Sequence, residues 1–303
     1  KVLMYDCIVV GGGPAGLTAA IYLTRACKKV AIFEREVFGG QITKTTQVEN
    51  YPGFEHISGM ELGNRMKMQA EDLGAECCYD EVIKIVKKDE VFQVMTANKI
   101  YESKTVIYAA GTSPRKLGVK EEEKFIGNGV SYCATCDGSF YKDKKVCVVG
   151  GGNTAIDDAL YLSNICKKVY VIHRRDSFRA EPIKVSSLKE KDNIEFIYNA
   201  TVEGIKGNDK VEVLEIVVND KKMEVKTDGI FVAIGSTPNT DILDDFVSLD
   251  ANGYALSNHE LETSVAGFFV AGDVRDKSVK QLTTATSDGT IAATFAIDYL
   301  NTL

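Results

Sequence analysis

A repeated glycine-rich segment is the feature that most limits the folds open to this chain of 303 residues. When residues 9–36 are placed on residues 148–175, 13 of the 28 positions are identical, including three consecutive glycines in each copy. An apolar stretch precedes the glycines, and an amphipathic stretch and a second apolar stretch follow them. This order predicts the strand, turn, helix and strand of a Rossmann βαβ unit. The chain is therefore expected to contain two Rossmann units.

The first copy matches the dinucleotide-binding fingerprint. Gly11, Gly13 and Gly16 follow a predicted strand and open a predicted helix. Glycines at these places let a pyrophosphate approach the N-terminus of the helix. Glu34 ends the next predicted strand, where its carboxylate can accept hydrogen bonds from a ribose diol. The first copy thus predicts an FAD-like or NAD-like site, and a plain glycine turn is the alternative.

The second copy differs at the positions that choose the ribose substituent. Its glycine set is Gly150, Gly152 and Ala155, with alanine in the third place. A carboxylate repels a 2′-phosphate, whereas guanidinium groups bind it through charge-assisted hydrogen bonds. The second copy therefore predicts an NADP-specific site, and a solvated basic face is the alternative. The basic residues that follow its second strand are His173, Arg174, Arg175 and Arg179.

Between the two copies lies a pair of cysteines separated by two residues. Cys133 and Cys136 have the spacing of a small, easily reduced disulfide, and Asp137 follows as a candidate proton shuttle. The same spacing fits half of a zinc site or two buried thiols. A zinc site is disfavoured because the chain has no second pair of this kind and has only three histidines. A disulfide between two nucleotide motifs suggests electrons that arrive from a nucleotide and leave through sulfur.

The remaining cysteines are not spaced for redox chemistry. Cys77 and Cys78 are adjacent, which rules out an ordinary unstrained disulfide between them. Core packing is expected for the other four. Eight cysteines without a recognisable secretory signal favour reduced thiols in a cytosol, and a cytoplasmic location is expected. The four residues expected in the core are Cys7, Cys27, Cys147 and Cys166.

Charge and hydropathy exclude two classes of partner. The net charge of −7 argues against general nucleic-acid binding and against an anionic membrane surface. No apolar run approaches 18 residues, so no transmembrane helix is predicted.

The domain order follows from a second, shorter sequence repeat. Residues 109–114 and 233–238 both read as the end of an apolar strand followed by a glycine and, three residues later, a proline. We therefore predict an α/β fold of two Rossmann-like three-layer domains. Residues 1–112 and 241–303 would form one domain, into which residues 113–240 are inserted. Helices are expected at about 14–26, 58–73 and 283–300, and strand-like stretches near 77–86 and 91–96.

A short apolar strand near the end of the chain leads into Gly272 and Asp273. Asp273 is a candidate to bind ribityl hydroxyls or water near a pyrophosphate, and a turn or capping aspartate is the alternative. The polar loop at residues 39–54 is long for a compact domain, which favours a functional role.

Together these motifs resemble the low-molecular-weight bacterial thioredoxin reductases over essentially the whole chain. The resemblance implies the two-dinucleotide-binding flavoprotein fold, with FAD on the outer domain and NADPH on the inserted one. It further implies a homodimer whose protein partner is thioredoxin or a thioredoxin-like protein. The segments that carry it are residues 11–16, 48–53, 133–137, 151–155, 173–179 and 271–274.

The resemblance also assigns residues. It implies that Cys133 and Cys136 are the redox pair, with Cys136 nearer the flavin and Asp137 as the acid–base group. FAD contacts are implied for Gly11, Gly13, Pro14, Ala15, Gly16, Glu34, Gly40, Gln41, Asn50, Gly111, Asp273, Lys280, Gln281 and Leu282. NADPH contacts are implied for Gly152, Asn153, Thr154, His173, Arg174, Arg175 and Arg179.

Two places depart from the family pattern. Lys280-Gln281-Leu282 stands where the family often has Arg-Gln-Ala, and Ser139 follows the cysteine pair where an aromatic residue is common. Both departures concern the flavin edge and leave the predicted reaction unchanged.

The predicted activity is thioredoxin-disulfide reduction, with electrons passing from NADPH to FAD, to the cysteine pair and then to thioredoxin. Two alternatives remain. The same electron path could serve another disulfide partner, such as a glutaredoxin-like or peroxidase-linked carrier. A non-catalytic nucleotide-binding sensor could also keep this fold, although retention of both cysteines and Asp137 counts against it.

Overall fold

A computed structural model describes residues 3–45, 47–243 and 246–303. The chain divides into two compact units. We call Lys1–Ser113 with Thr237–Leu303 the flanking unit, and Pro114–Ser236 the inserted unit. The inserted unit therefore interrupts the sequence of the flanking unit once.

The strands are named in chain order. They are β1 (Leu3–Val10), β2 (Val30–Glu34), β3 (Glu76–Tyr79), β4 (Val82–Lys88), β5 (Val91–Thr96), β6 (Ile100–Tyr108), β7 (Thr112–Pro114), β8 (Val130–Ser131), β9 (Lys145–Gly150), β10 (Lys168–Ile172), β11 (Ile194–Ile197), β12 (Ala200–Gly207), β13 (Val211–Val218), β14 (Lys221–Lys226), β15 (Gly229–Ala233), β16 (Ser236–Pro238) and β17 (Phe268–Val270).

Three longer helices confirm the helical predictions. The N-terminus of the second of them is fixed by Ser58, whose side chain accepts the backbone N–H of Glu61 at 3.1 Å. Short 3₁₀ turns lie at Gly40–Lys44, Glu123–Phe125, Gly138–Tyr141, Asp241–Leu243 and Gly272–Val274. The helices are α1 (Pro14–Arg25), α2 (Gly59–Asp72), α3 (Ala134–Asp137), α4 (Asn153–Ser163), α5 (Pro182–Lys189) and α6 (Leu282–Thr302).

The flanking unit is built on one mixed sheet. Its order is β3-β2-β1-β6-β5-β4, and β17 pairs in parallel with the second half of β6. Side chains of β1 and β2 alternate between two buried faces. Val9 and Ile32 pack on the side of α1, α2 and α6, whereas Ile8 and Phe33 pack under the hairpin of β4 and β5. Burial on both faces explains why these strands read as continuous apolar runs.

The inserted unit repeats this arrangement with a fully parallel sheet of order β11-β10-β9-β15-β8. Val148 and Val171 face α3, α4 and α5, whereas Cys147 and Ile230 face the antiparallel sheet β12-β13-β14. Each unit therefore has a helical layer, a central sheet and a covering β layer. The predicted fold class is confirmed.

Two local expectations were wrong. Residues 77–86 form two strands, β3 and β4, because the chain leaves the sheet at Asp80 and Glu81. Cys27 is exposed, not buried in the core, since it follows α1 in a turn with a φ of 58°. The predicted burial of Cys7, Cys147 and Cys166 is confirmed. In the described part of the chain, none of the helices combines the length and apolar character needed to span a membrane.

Candidate active site

The glycine turn of the flanking unit leaves an opening at one position and is closely packed at two others. A Cβ on Gly11, whose φ is +107°, would lie 2.3 Å from the carbonyl oxygen of Ala109. A Cβ on Gly16 would lie 2.0 Å from the carbonyl oxygen of Gly11. By contrast, a Cβ on Gly13 would have no described heavy atom within 4 Å. Gly13 caps α1, and this free space at a helix N-terminus fits a pyrophosphate.

Other backbone segments approach the same turn. A Cβ on Gly40 would lie 3.2 Å from the Cα of Gly13, and one on Gly272 would lie 2.9 Å from the Cβ of Ala15. The turns that carry Gly40 and Asp273 therefore both lie beside the start of α1. Gly111 also has free space around it within the described chain, at a φ of +65°.

Glu34 is held in place by backbone donors. Its Oε2 accepts the N–H of Gly12 at 2.8 Å, and its Oε1 accepts the N–H of Glu36 at 2.8 Å. A carboxylate has about four acceptor sites, so each oxygen keeps capacity for a ribose hydroxyl. Gly11 and Glu34 line a cavity together with Val10, Phe33, Arg35, Asp80, Glu81, Val82, Tyr108, Ala110, Asn239, Asp241 and Ile242.

Asp273 provides an unsatisfied acceptor. Its Oδ1 is buried and has no hydrogen-bond donor among the described residues; Lys277 Nζ lies 3.4 Å away, in ion-pair contact only. Burial raises the pKa of Asp273, and the charge of Lys277 opposes that shift. A buried acceptor without a donor fits a hydroxyl group of a bound ligand.

The turn that carries Asp273 is tied to α6 through Asp288, which is buried. Asp288 Oδ2 accepts the N–H of Gly272 at 3.0 Å and pairs with Lys277 Nζ at 2.9 Å. Arg275 lies 3.4 Å from the other oxygen of Asp288. This network fixes the main chain on both sides of Asp273.

The remaining predicted FAD contacts lie in two segments, residues 41–50 and residues 280–282. Asn50 Nδ2 donates to Gln281 Oε1 at 3.4 Å, and the side chain of Gln41 donates to the carbonyl oxygen of Thr112. Gln281 caps α6 in a reciprocal capping box with Thr284. Lys280 Nζ lies 3.3 Å from the ring centroid of Tyr254, and Leu282 packs against the helical side of the core.

In the inserted unit, His173 lies beneath the glycine turn. Only 6% of the residue is exposed, its ring stacks on Phe178 at 5.2 Å, and a Cβ on Gly151 would lie 2.1 Å from the ring. Burial lowers the pKa of His173, and the neighbouring arginines lower it further. The imidazole therefore supports the turn from below, whereas Gly152 has open space around it in the described structure.

Three arginines follow β10, and their charges act on His173 beneath this turn. Arg174, Arg175 and Arg179 are exposed, and within residues 3–45, 47–243 and 246–303 no carboxylate forms an ion pair with them. Their segment is fixed through the backbone, because the N–H of Arg179 donates to the carbonyl oxygen of Gly151 at 2.9 Å. Unpaired guanidinium groups on a fixed segment are suited to bind a phosphate.

Asn153 makes contacts that its sequence motif does not reveal. Its Oδ1 accepts the N–H of Glu181 at 2.8 Å, and its Nδ2 donates to Glu181 Oε1 at 3.1 Å. Both ends of the amide thus join the start of α4 to the end of the arginine segment. Thr154, the next residue of α4, is exposed beside the open turn.

The cysteine pair is oxidised and lies at the start of a one-turn helix. Cys133 and Cys136 form a disulfide, and Cys133 Sγ accepts the N–H of Cys136 at 3.2 Å. Thr135 Oγ1 lies 3.5 Å from the same sulfur. Both cysteines are partly exposed. The disulfide bond excludes the reading of this pair as two buried thiols.

Asp137 lies directly after the disulfide, in a site that disfavours its charge. Burial raises its pKa above the ordinary value, and a hydrogen bond from Ser131 offsets part of the shift. Ser131 Oγ donates to Asp137 Oδ2 at 2.6 Å. Asp137 Oδ1 is buried and finds no hydrogen-bond partner in the described part of the chain. A carboxyl group with a raised pKa beside a disulfide is suited to exchange protons with sulfur.

Comparison with known proteins identifies the family. The model of the pyridine nucleotide-disulphide oxidoreductase family matches residues 5–289. A thioredoxin reductase of Bacillus subtilis is 42% identical over 303 residues, covering 99% of this chain and 96% of the relative. One from Treponema pallidum is 43% identical over 302 residues, covering 99% and 98%. The crystal structure of thioredoxin reductase from Streptococcus pyogenes aligns with a TM-score of 0.95 at 40% identity, covering 100% of both chains.

The chain belongs to the pyridine nucleotide-disulphide oxidoreductase family. Its relatives confirm the resemblance to the thioredoxin reductases that the sequence motifs indicated. The predicted enzyme class, a flavoprotein disulfide oxidoreductase that uses FAD and NADPH, is that of the family.

Some residues of the site were not found from the sequence. Ser131, Glu181, Lys277 and Asp288 belong to no cofactor fingerprint, and their contacts are visible only after folding. For Ser131 the one available signal is its place two residues before the cysteine pair.

Proposed function

We propose that this protein is a thioredoxin-disulfide reductase that passes electrons from NADPH through FAD and the Cys133–Cys136 disulfide to oxidised thioredoxin. The observation that carries the proposal is the partly exposed disulfide next to the buried carboxyl of Asp137. Two unlike nucleotide turns in the same chain support the source of the electrons. The family supports the chemistry, and its thioredoxin reductases support the partner.

FAD is assigned to the flanking unit. The open space at Gly13 suits its pyrophosphate, Glu34 suits the ribose of its adenosine, and Oδ1 of Asp273 suits a ribityl hydroxyl. Bound FAD supplies the two-electron chemistry that connects a hydride donor to a disulfide. The other contacts proposed for FAD are Gly11, Pro14, Ala15, Gly16, Gly40, Gln41, Asn50, Gly111, Lys280, Gln281 and Leu282.

NADPH is assigned to the inserted unit. Arg174, Arg175 and Arg179 would bind the 2′-phosphate, and Gly152 and Thr154 would lie against the pyrophosphate at the start of α4. His173 and Asn153 are assigned supporting roles. His173 packs under the glycine turn, and Asn153 bonds to Glu181 at the end of the arginine segment.

The protein's own groups complete the sulfur chemistry. When an electron pair enters the disulfide, the S–S bond breaks and gives two thiolates. Asp137 supplies a proton to one of them and becomes a carboxylate. In the second half of the cycle a thiol of the pair returns that proton to Asp137 as it attacks the disulfide of thioredoxin. Two exchanges then leave thioredoxin reduced and re-form the Cys133–Cys136 bond.

The assembly and location proposed with this function are a homodimer in the cytoplasm. The family resemblance supports the dimer, and the six cysteines that remain free thiols outside the Cys133–Cys136 disulfide support a reducing compartment. Gel filtration with light scattering tests the dimer directly.

The function is tested with serine variants of the cysteine pair. Cys133→Ser and Cys136→Ser should keep bound FAD and its anaerobic bleaching by NADPH, yet lose thioredoxin reduction. Cys27→Ser is the matched control, since Cys27 is the exposed free cysteine, and it should behave as wild type. Full thioredoxin reduction by either serine variant of the pair would contradict the proposal. A panel of thioredoxin, glutaredoxin-like and peroxidase-linked carriers identifies the partner.

A further inference from the structure

Ser131 joins the candidate acid to the disulfide. It is the last residue of β8, it is 5% exposed, and its backbone pairs with Phe231 of the central sheet. Its hydroxyl donates to Asp137 Oδ2 at 2.6 Å and accepts the N–H of Cys133 at 3.1 Å. The Ser131 hydroxyl therefore contacts both the carboxyl group of Asp137 and the backbone of Cys133.

The hydroxyl has a single proton to donate and two acceptors near it. The carbonyl oxygen of Cys133 lies at 3.3 Å, whereas the carboxylate oxygen of Asp137 lies at 2.6 Å. The shorter distance to Asp137 Oδ2 marks the stronger hydrogen bond, whether Oδ1 carries a proton or not. Ser131 therefore donates to Asp137, and it accepts from the backbone of Cys133.

The two carboxyl oxygens of Asp137 consequently have different surroundings. Oδ2 is held by Ser131, whereas Oδ1 is buried without a partner among the residues that the structure describes. An added proton would reside on the oxygen that is not already engaged by a donor. Oδ1 is thus the proton-carrying atom, and its direction is fixed by the bond at Oδ2.

We propose that Ser131 is a positioning residue for proton transfer between Asp137 and the cysteine pair, which rests on the function proposed above. On reduction the S–S bond accepts the electron pair, and one thiolate takes the proton from Asp137 Oδ1. The hydrogen bond from Ser131 then stabilises the carboxylate that remains. On attack on a disulfide substrate the proton returns to Oδ1, and the attacking sulfur forms a mixed disulfide with one substrate sulfur. The substrate S–S bond breaks, and its other sulfur leaves as a thiolate.

Other ionisable groups near Asp137 must be separated from its titration. Among the described elements, the 3₁₀ turn Gly138–Tyr141 and α4 pack most closely against α3. They contribute Tyr141, Asp157, Asp158 and Tyr161. Burial raises the pKa of Asp158 to about 7, so this residue can itself shape a pH profile. A background that lacks the carboxyl of Asp137 is therefore the necessary control.

The test measures how the dithiol reacts as pH changes. Holoenzyme that carries Cys27→Ser, so that this exposed free thiol cannot react, is reduced with a phosphine and desalted. It is then oxidised in a single turnover by 5,5′-dithiobis(2-nitrobenzoate), with neither NADPH nor thioredoxin present. The low-pH limb of the rate should report the carboxylate form of Asp137. Ser131→Ala removes a hydrogen bond to that form, so the limb should move to higher pH by on the order of one unit. Below both pKa values the rate should then fall about tenfold.

Two comparisons decide the outcome. Ser131→Thr keeps the hydroxyl and should restore the wild-type limb, and Ser131→Ala should have no further effect in the Asp137→Asn background. The proposal is overturned if the limb of Ser131→Ala is unshifted, or if the same shift occurs without the carboxyl. It is also overturned if Ser131→Thr shows normal thermal unfolding yet behaves like Ser131→Ala. Because no thioredoxin is used, failure to reduce thioredoxin would count against the proposed function alone.

Discussion

The two glycine turns of this chain share one close backbone contact but differ in the residues around it. A Cβ on Gly11 or on Gly150 would lie 2.3 Å from a carbonyl oxygen of the neighbouring strand, that of Ala109 in one unit and of Ala233 in the other. Only Gly11 has a positive φ. The third glycine of the first motif, Gly16, has no room for a side chain. The equivalent residue of the second motif is Ala155, so that turn accommodates a methyl group.

The residue that ends the second strand shows a further difference. Glu34 and the equivalent His173 both contact the middle glycine of their turn, one through a hydrogen bond to Gly12 and the other through ring packing on Gly151. Supporting the turn and selecting the ribose substituent are therefore separable tasks. In the flanking unit we assign both to one carboxylate; in the inserted unit the histidine supports, and the arginines that follow it would select.

The largest effect is expected when a side chain is added to the first glycine turn. Gly11→Ala places a Cβ against the backbone at a positive φ, which should destabilise the flanking unit by about 2–5 kcal/mol and release FAD. Gly150→Ala is the matched variant in the inserted unit and should spare FAD binding. Flavin fluorescence and thermal unfolding measure both effects. Retention of FAD by Gly11→Ala at wild-type affinity would contradict the assignment of that turn.

A smaller but specific effect is expected from the arginines. Replacing Arg174 and Arg175 by Ala removes charge-assisted bonds worth about 1.5–3 kcal/mol each, so the preference for NADPH over NADH should fall at least about 100-fold. The preference is read from kcat/KM with each nucleotide. Arg35→Ala, at the position equivalent to Arg174 in the first copy, should leave it unchanged. Unaltered discrimination by the double variant would place the NADPH phosphate elsewhere.

The smallest effect tests the link between Asn153 and Glu181. Glu181→Ala removes one exposed hydrogen bond, worth about 0.5–1.5 kcal/mol, and should weaken binding of 2′,5′-ADP by up to about tenfold. Glu181→Gln keeps an acceptor for Asn153 and should bind nearly as wild type. Calorimetry with 2′,5′-ADP and with 5′-AMP provides the readout. Equal loss for both ligands would show that the link does not act through the arginine segment.

The features of the site that could be predicted from the sequence are those that lie within short local motifs. The glycine turns, the acid or base after the second strand and the cysteine pair have fixed spacings, because each arises within one βαβ unit or one helical turn. Ser131, Glu181 and Asp288 act through contacts made by ordinary residue types, which no spacing distinguishes. Asp288 lies 16 residues after Gly272, and only the return of α6 across the sheet brings them together. The prediction that Cys27 packs in the core was wrong for a related reason, because its exposure depends on the turn that follows α1.

The position of β17 has a consequence for how the protein is made. Phe268–Val270 pairs with β6 in the flanking unit, and α6 packs against α1, although the inserted unit separates these partners in the chain. A ribosome completes the inserted unit first, because its strands are contiguous between residues 114 and 236. The sheet of the flanking unit stays short of a strand until residues 268–270 emerge. Flavin loading at Asp273 should accordingly be a late event in biosynthesis, after the domain that carries the disulfide has folded.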